Sequence, residues 1–209
     1  MSSAGGPGGM SESLSALLLL GLLVLLLLLP PMAALADDPA PPGMSALPGD
    51  GDSAALAARR LTLPLPGLQP QALTDTFSAA RSEGRQHDAI DIPAPAGTPV
   101  LAVEDGRIAK LFLSQPGGIT IYQFDPTGRY SYYYAHLQGY AEGLREGQQV
   151  RRGQVIGYVG DTGNARGGPA HLHFAIARLP PEQSWWKGEA LNPYPVLRAG
   201  IPKPTSELP

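Results

Sequence analysis

The chain has 209 residues, 26 glycines, 23 prolines, no cysteine and a formal net charge of -3. Its mild acidity, with adjacent arginines only at Arg59-Arg60 and Arg151-Arg152, excludes the clustered basic surface that nucleic acid calls for, and no nucleic-acid partner is expected. The lack of cysteine excludes a disulfide framework and a thiolate metal site, so any metal must be held by His, Asp or Glu.

The apolar run from Leu14 to Leu29 ends at Pro30-Pro31 and is followed by Ala34-Leu35-Ala36, the small-x-small pattern of a signal-peptidase site, and then by Asp37-Asp38. This predicts a secretory signal peptide over 1–36. No Lys or Arg precedes the run, and its 16 residues lie between a signal core and a short spanning helix, so an uncleaved anchor is the alternative and the one membrane contact expected. Both readings place the rest of the chain outside the cytoplasm, in the periplasm or cell envelope or secreted. Residues 37–60 are rich in Pro, Ala and Gly and read as a flexible linker. The globular part is expected over 61–201, about 140 residues and enough for one core, with a tail at 202–209.

Strand signals dominate that part. Thr98 to Val103 is apolar and ends in Asp105-Gly106, which suits a tight hairpin turn, with Arg107 to Leu113 returning. Ile119 to Phe124 and Tyr130 to Leu137 flank Asp125-Pro126-Thr127-Gly128, which predicts another hairpin. In its second arm, period-two alternation puts Tyr130, Tyr132, Tyr134 and His136 on one face, and Ser131, Tyr133 and Ala135 on the other. The tyrosines read as sheet packing, with Tyr134 placed to line a groove. Gln149 to Val159 gives two short strands broken at Arg152-Gly153, and Ala170 to Ala177 gives another. Helix signals are few: two turns over Leu73 to Arg81 and one over Ala141 to Arg145. The expected fold class is mainly β, an antiparallel sheet with Gly-rich loops such as Asp161 to Gly168.

The four histidines stand in segments that chemistry explains better than packing. His87 and Asp91 are four apart, and a short spacing lets one loop or strand end deliver both as metal ligands. Asp88 is a third donor there, but it points away from its neighbours if the segment is extended. His171-Leu172-His173 on a strand projects both imidazoles to one side about 6–7 Å apart, close enough for one to hold a metal and the other to reach a bound water. His136 ends the tyrosine-rich strand, where packing beside aromatics is the plainer reading. A hydrolytic zinc site takes three protein ligands and keeps a fourth position for water, whose pKa zinc brings to about 7. A spare imidazole can accept the proton. A structural zinc would take four protein ligands, and these residues could supply them too.

Several of these segments, in order and in register, resemble the lysostaphin/LytM-type peptidases. Phe77 to Ile92, Ala96-Gly97-Thr98-Pro99-Val100 and Asp105-Gly106 are similar to that family's opening, and Tyr134-Ala135-His136-Leu137 to its central histidine motif. Gly147 to Gln154 and Gly160-Asp161-Thr162-Gly163-Asn164 resemble its Gly-rich turns. Pro169 to Phe174 resembles its closing signature, and Leu191-Asn192-Pro193 its terminal segment. The resemblance implies Zn2+ held by His87, Asp91 and His173, with His136 and His171 as the catalytic pair, His171 favoured as the base. It implies a β-sheet with a narrow zinc-containing groove, and hydrolysis of peptide bonds in peptidoglycan stem peptides or cross-links, with a regulatory envelope protein as a further partner. Ala89 stands where the family usually has glycine, the loop Ser114 to Gly118 lacks a tyrosine that some members use, and residues 37–58 offer no Asn or His for self-inhibition.

A non-catalytic LytM-type regulator of other wall hydrolases would show gaps among the site residues, and none is missing. A biotinyl or lipoyl carrier would need a lysine in the turn Gly147 to Gly157, whereas the lysines are Lys110, Lys187 and Lys203. A zinc peptidase acting on other peptides would share the whole site.

Overall fold

The computed structural model describes residues 50–81 and 84–199. The apolar run at 14–29, the first half of the linker and the tail at 202–209 lie outside the described residues. Among the described residues no helix is long and apolar enough to cross a membrane.

Among the described residues nine strands form one sheet in which every pairing is antiparallel: β1 (Ile90–Pro93), β2 (Pro99–Leu101), β3 (Gly106–Ser114), β4 (Gly118–Phe124), β5 (Tyr130–Tyr140), β6 (Gln149–Val150), β7 (Val155–Val159), β8 (His171–Arg178) and β9 (Glu189–Leu191). The main path runs β1-β8-β5-β4-β3-β6, with β7 joined to β2 and β5, and β9 to β8. The mainly β, antiparallel class expected from the strand signals is the one the chain adopts. The β4–β5 hairpin closes as its turn chemistry predicts, with the Asp125 carboxylate accepting the Thr127 and Tyr130 amides at 3.0 and 2.7 Å.

β5 organises the sheet. Tyr130, Tyr132 and Tyr134 alternate into the core with exposures of 0–1 %, and burying three phenols obliges the fold to partner each hydroxyl. Tyr130 donates to Asp52 at 2.8 Å, Tyr132 to Glu104 at 2.6 Å and Tyr134 to Gln123 at 2.8 Å. Tyr134 is therefore a core residue and not a groove wall. The N-terminal half of β5 pairs with β8 over Tyr130 to Ala135, and its C-terminal half pairs with β7 over Leu137 to Tyr140. Against β4 the register slips between Ile119 and Ile121, where Leu137 and Tyr134 are the partners. β5 thus carries an extra residue at Ala135-His136, a β-bulge at the point where it exchanges one neighbour for another.

Four expectations are corrected. Thr98 to Val103 does not pair with Arg107 to Leu113: β2 pairs with β7, and β3 lies between β4 and β6. Leu73 to Arg81 is not helical. A single 3-10 turn at Pro70–Ala72 precedes it, and its carbonyls are spent on tertiary partners, with Thr76, Phe77 and Ala79 accepting from His87 and Asp88. Ala141 to Arg145 is a turn closed by the Leu144 amide on Ala141. The second half of the expected linker is helix α1 (Asp50–Ala58), whose Ala54 to Ala58 half is made of good helix formers and which buries Leu56 and packs on α2 (Pro193–Ala199).

Asp52 is the anchor of α1. Its carboxylate, 3 % exposed, takes the Tyr130 hydroxyl and the guanidinium groups of Arg129 and Arg178 at 2.5 and 2.6 Å. Burial pushes this carboxyl up, but the Tyr130 hydrogen bond and the two arginines outweigh it and hold it below its ordinary value of 3.8. The contribution to stability is therefore full above that value and fades as the pH falls through the lowered one. Asp52→Ala is expected to cost about 1–3 kcal/mol at pH 7, since Tyr130 is left with an unmet hydroxyl. Urea unfolding of both proteins at pH 7 and in strong acid checks it: the difference should shrink in acid.

Candidate metal centre

The register of β1 on β8 sets the first two donors opposite each other, because Asp91 and His173 are cross-strand partners. Along β8, Leu172, Phe174 and Ile176 enter the core while His171, His173, Ala175 and Ala177 face a groove. His87 arrives from the segment before β1, its amide bonded to the Ala79 carbonyl at 3.0 Å. The three donor atoms then meet: His87 Nε2 is 3.0 Å from His173 Nδ1 and 3.0 Å from Asp91 Oδ1, which is 3.1 Å from His173 Nδ1. Tetrahedral bonds of zinc length place ligand atoms about 3.3 Å apart, so the donor set fits a small divalent ion closely. His87, Asp91 and His173 are the group able to hold a metal among the described residues.

Backbone carbonyls set the tautomers. A carbonyl only accepts, so each ring nitrogen facing one carries the proton. His87 Nδ1 donates to Thr76 O at 2.9 Å, His136 Nδ1 to Thr162 O at 2.9 Å and His171 Nδ1 to Pro169 O at 2.9 Å. In the neutral state each Nε2 therefore holds a lone pair, and a partner on the far nitrogen is what a ligating imidazole requires. Burial pushes the Asp91 carboxyl up, yet its imidazole contacts, the hydrogen bond from His173 foremost, outweigh this and hold it well below its ordinary value. Burial lowers His173, and burial together with the neighbouring His173 lowers His136 to about 4.

His136 and His171 stand beside this cluster with ring centroids 4.9 Å apart, and His171 Nε2 lies 3.8 Å from Asp91 Oδ1. Strict alternation assigns His136 to the tyrosine face; the structure puts it on the other, with His171 and His173 in the groove. The bulge is the reason. His136 has φ 58°, a left-handed conformation that histidine enters more readily than most residues, and this turns its side chain across the sheet. Its amide bonds to Gly117 O at 2.8 Å. Thr162, from the Gly-rich turn, buttresses the strand by donating to Leu137 O at 2.7 Å and accepting the Ile119 amide at 3.0 Å.

All five residues singled out from the sequence line one groove; Asp88, with φ 55°, lines it too but is not in the donor cluster. Sequence reasoning missed four contributors. Tyr133 sets its ring edge-on to His173, centroids 5.9 Å apart. Trp185, tilted against Phe112 and edge-on to Tyr122, and Trp186, 45 % exposed, form a wall. Arg81 bonds Asp91 Oδ2 at 2.6 Å. Adjacent tryptophans just before Lys187 in a turn were one visible signal; Arg81 stood in the segment that resembles the family's opening, with no role attached to it.

A His-Asp-His donor set that could hold a metal thus stands at the floor of an open groove on an antiparallel sheet. Residues 85–193 match the model of peptidase family M23, and the chain belongs to that family. It is 36 % identical over 143 residues to the L-Ala--D-Glu endopeptidase of Bacillus subtilis, covering 65 % of this chain and 42 % of that protein. It is 34 % identical over 92 residues to a peptidoglycan DD-endopeptidase of Vibrio cholerae, covering 44 % and 21 %. The chain thus spans less than half the length of these curated relatives. The solved catalytic domain of lysostaphin from Staphylococcus simulans superimposes with a TM-score of 0.52 at 29 % identity, covering 60 % of this chain and 91 % of that one.

The turn behind His136 generates a prediction. Gly163 has φ 73°, and a Cβ there would meet Gly118 N at 2.3 Å and Pro116 O at 2.5 Å, both backbone atoms. Gly163→Ala is expected to cost about 1–3 kcal/mol and to lower activity along with it, read by thermal unfolding beside turnover.

Proposed function

We propose that this chain is a zinc-dependent endopeptidase that hydrolyses peptide bonds in peptidoglycan stem peptides or cross-links. The observation that carries the reading is the convergence of one oxygen and two nitrogens within 3.1 Å of one another, beside two more imidazoles with free lone pairs in the same groove. The names of the Bacillus and Vibrio relatives support the substrate class. We take the peptidase domain as 61–201 together with helix α1, which packs into the same core, behind an N-terminal export segment, with action in the cell envelope.

In this reading His87, Asp91 and His173 hold the ion, and His136 and His171 act on the substrate. A bound zinc lowers the pKa of a coordinated water to about 7 and polarises a carbonyl oxygen. Among the chain's own residues, Asp91 supplies the one carboxylate, so that site and dication carry a net positive charge that favours a developing oxyanion. His171, nearer to Asp91, accepts the proton of the attacking water at Nε2 and delivers it to the leaving amine. His136, low in proton affinity and hydrogen-bonded to Thr162, stays neutral at pH 7 and orients the second side of the reacting centre. Tyr133 and the Trp185-Trp186 wall narrow the groove and limit competing water.

His87→Ala and Asp91→Ala are expected to lose the metal, measured as zinc content after gel filtration. His136→Ala should keep the zinc and lose turnover by about 10²–10⁴-fold, measured on purified sacculi with mass analysis of the released muropeptides. Equal release by wild type and these variants would rule the mechanism out. A zinc-bound wild type that binds sacculi and releases nothing would favour a regulator of other hydrolases.

A further inference from the structure

We propose that Arg81 is a positioning residue for Asp91: its guanidinium holds one carboxylate oxygen, so that the other alone is offered to a cation between His87 and His173. The inference rests on the metal reading above and adds to it a residue of the Phe77 to Ile92 segment, just before the family match at 85–193.

Asp91 is engaged on both sides. Its Oδ1 faces His87 Nε2 at 3.0 Å and His173 Nδ1 at 3.1 Å, whereas its Oδ2 accepts from Arg81 Nη2 at 2.6 Å, a short charge-assisted bond. A carboxylate with both oxygens free can rotate and present either or both to a cation. With one oxygen pinned by a planar, permanently charged group it cannot. Arg81 is itself placed: its amide bonds to Arg85 O at 2.9 Å, and Ala80 bridges Gln86 just before His87.

The contact belongs to a continuous brace. Thr76 accepts His87 Nδ1–H at its carbonyl, 2.9 Å, and the Asp91 amide at its hydroxyl, 3.1 Å. Asp75, next to it, accepts the Phe77 amide at 3.1 Å and Asn192 Nδ2 at 3.1 Å, which ties the brace to the segment after β9. The segment from Asp75 to Arg81 therefore grips two of the three donors from behind. Folding alone does not explain the ion pair. Arg81's side chain is 43 % exposed, and exposed pairs add little to stability. What the bond changes is the orientation of a ligand.

The test uses the full chain as wild type, Arg81→Lys and Arg81→Ala, each loaded with zinc or with Co2+, whose visible absorption follows ligand number and geometry. Arg81→Ala is expected to lose about 10–100-fold in metal retention against a chelator and to shift the Co2+ spectrum. Arg81→Lys, which keeps the charge without the planar fork, should fall between. Metal-free unfolding temperatures should coincide. Retention and spectrum of Arg81→Ala equal to wild type, or losses that track a drop in metal-free unfolding temperature, would overturn the inference while leaving the metal site standing. A wild type that retains neither zinc nor Co2+ would overturn the metal reading itself, and this inference with it.

Discussion

Two imidazoles and a carboxylate held about 3 Å apart cannot all turn lone pairs toward one another unless a proton or a cation sits between them. The architecture around them accepts that tension. Asp91 and His173 are locked opposite each other by the β1–β8 register, and His87 is locked by bonds at both its amide and its far ring nitrogen. Backbone pairing keeps the Asp91 and His173 positions opposite each other, and the contacts of the side chains themselves fix how they point. A segment that merely needed stability would place apolar side chains there, because isolated buried charge costs more than it returns.

The register has a further consequence. A slip of one residue between β1 and β8 would send Asp91 to the core face and Ile90 or Ile92 to the groove. The core prevents this: Ile90 and Ile92 are 0 and 2 % exposed, and Leu172 and Phe174 on β8 are fully buried. The apolar side of the sheet thus holds the polar side in place, and the polar tyrosine partners of β5 hold α1, through Asp52, to the same core.

Much of this was legible in the sequence because it follows local rules. The pair His171 and His173 shares a face by the period of a strand, and Asp125 to Gly128 reads as a turn from its residue types alone. The likeness of the motifs to lysostaphin/LytM-type peptidases supplied the grouping of His87, Asp91 and His173, which no spacing argument could give across 82 positions. What failed was what tertiary structure decides. Leu73 to Arg81 has helix-forming residues, yet its carbonyls are worth more to His87 and Asp88 than to one another. Asp105-Gly106 is good hairpin chemistry, but Val100 pairs with Gly157 and the chain beyond it turns elsewhere. Arg81 carries no local sign of its role, since its partner is ten positions on and on another element.

His136 shows why the misreading of a face can mark function. β5 has two obligations that alternation cannot meet together. Its tyrosines at 130, 132 and 134 must enter the core, which by period two would take residue 136 inward with them. The groove carries an imidazole at that height, beside His171. One extra residue resolves the conflict, and it falls where β5 leaves β8 for β7, so that the lost ladder bonds cost least. The bulge then leaves Leu137 in the core and puts His136 across from His171. Its left-handed backbone is a strain that a packing residue would have no reason to keep. Gly118 and Gly163, both at positive φ and each too close to the other's backbone for a Cβ, let the two supporting loops close behind it. Those close contacts, with Thr162 bonded to Leu137, to Ile119 and to the His136 ring, are what pin the irregular stretch that carries His136.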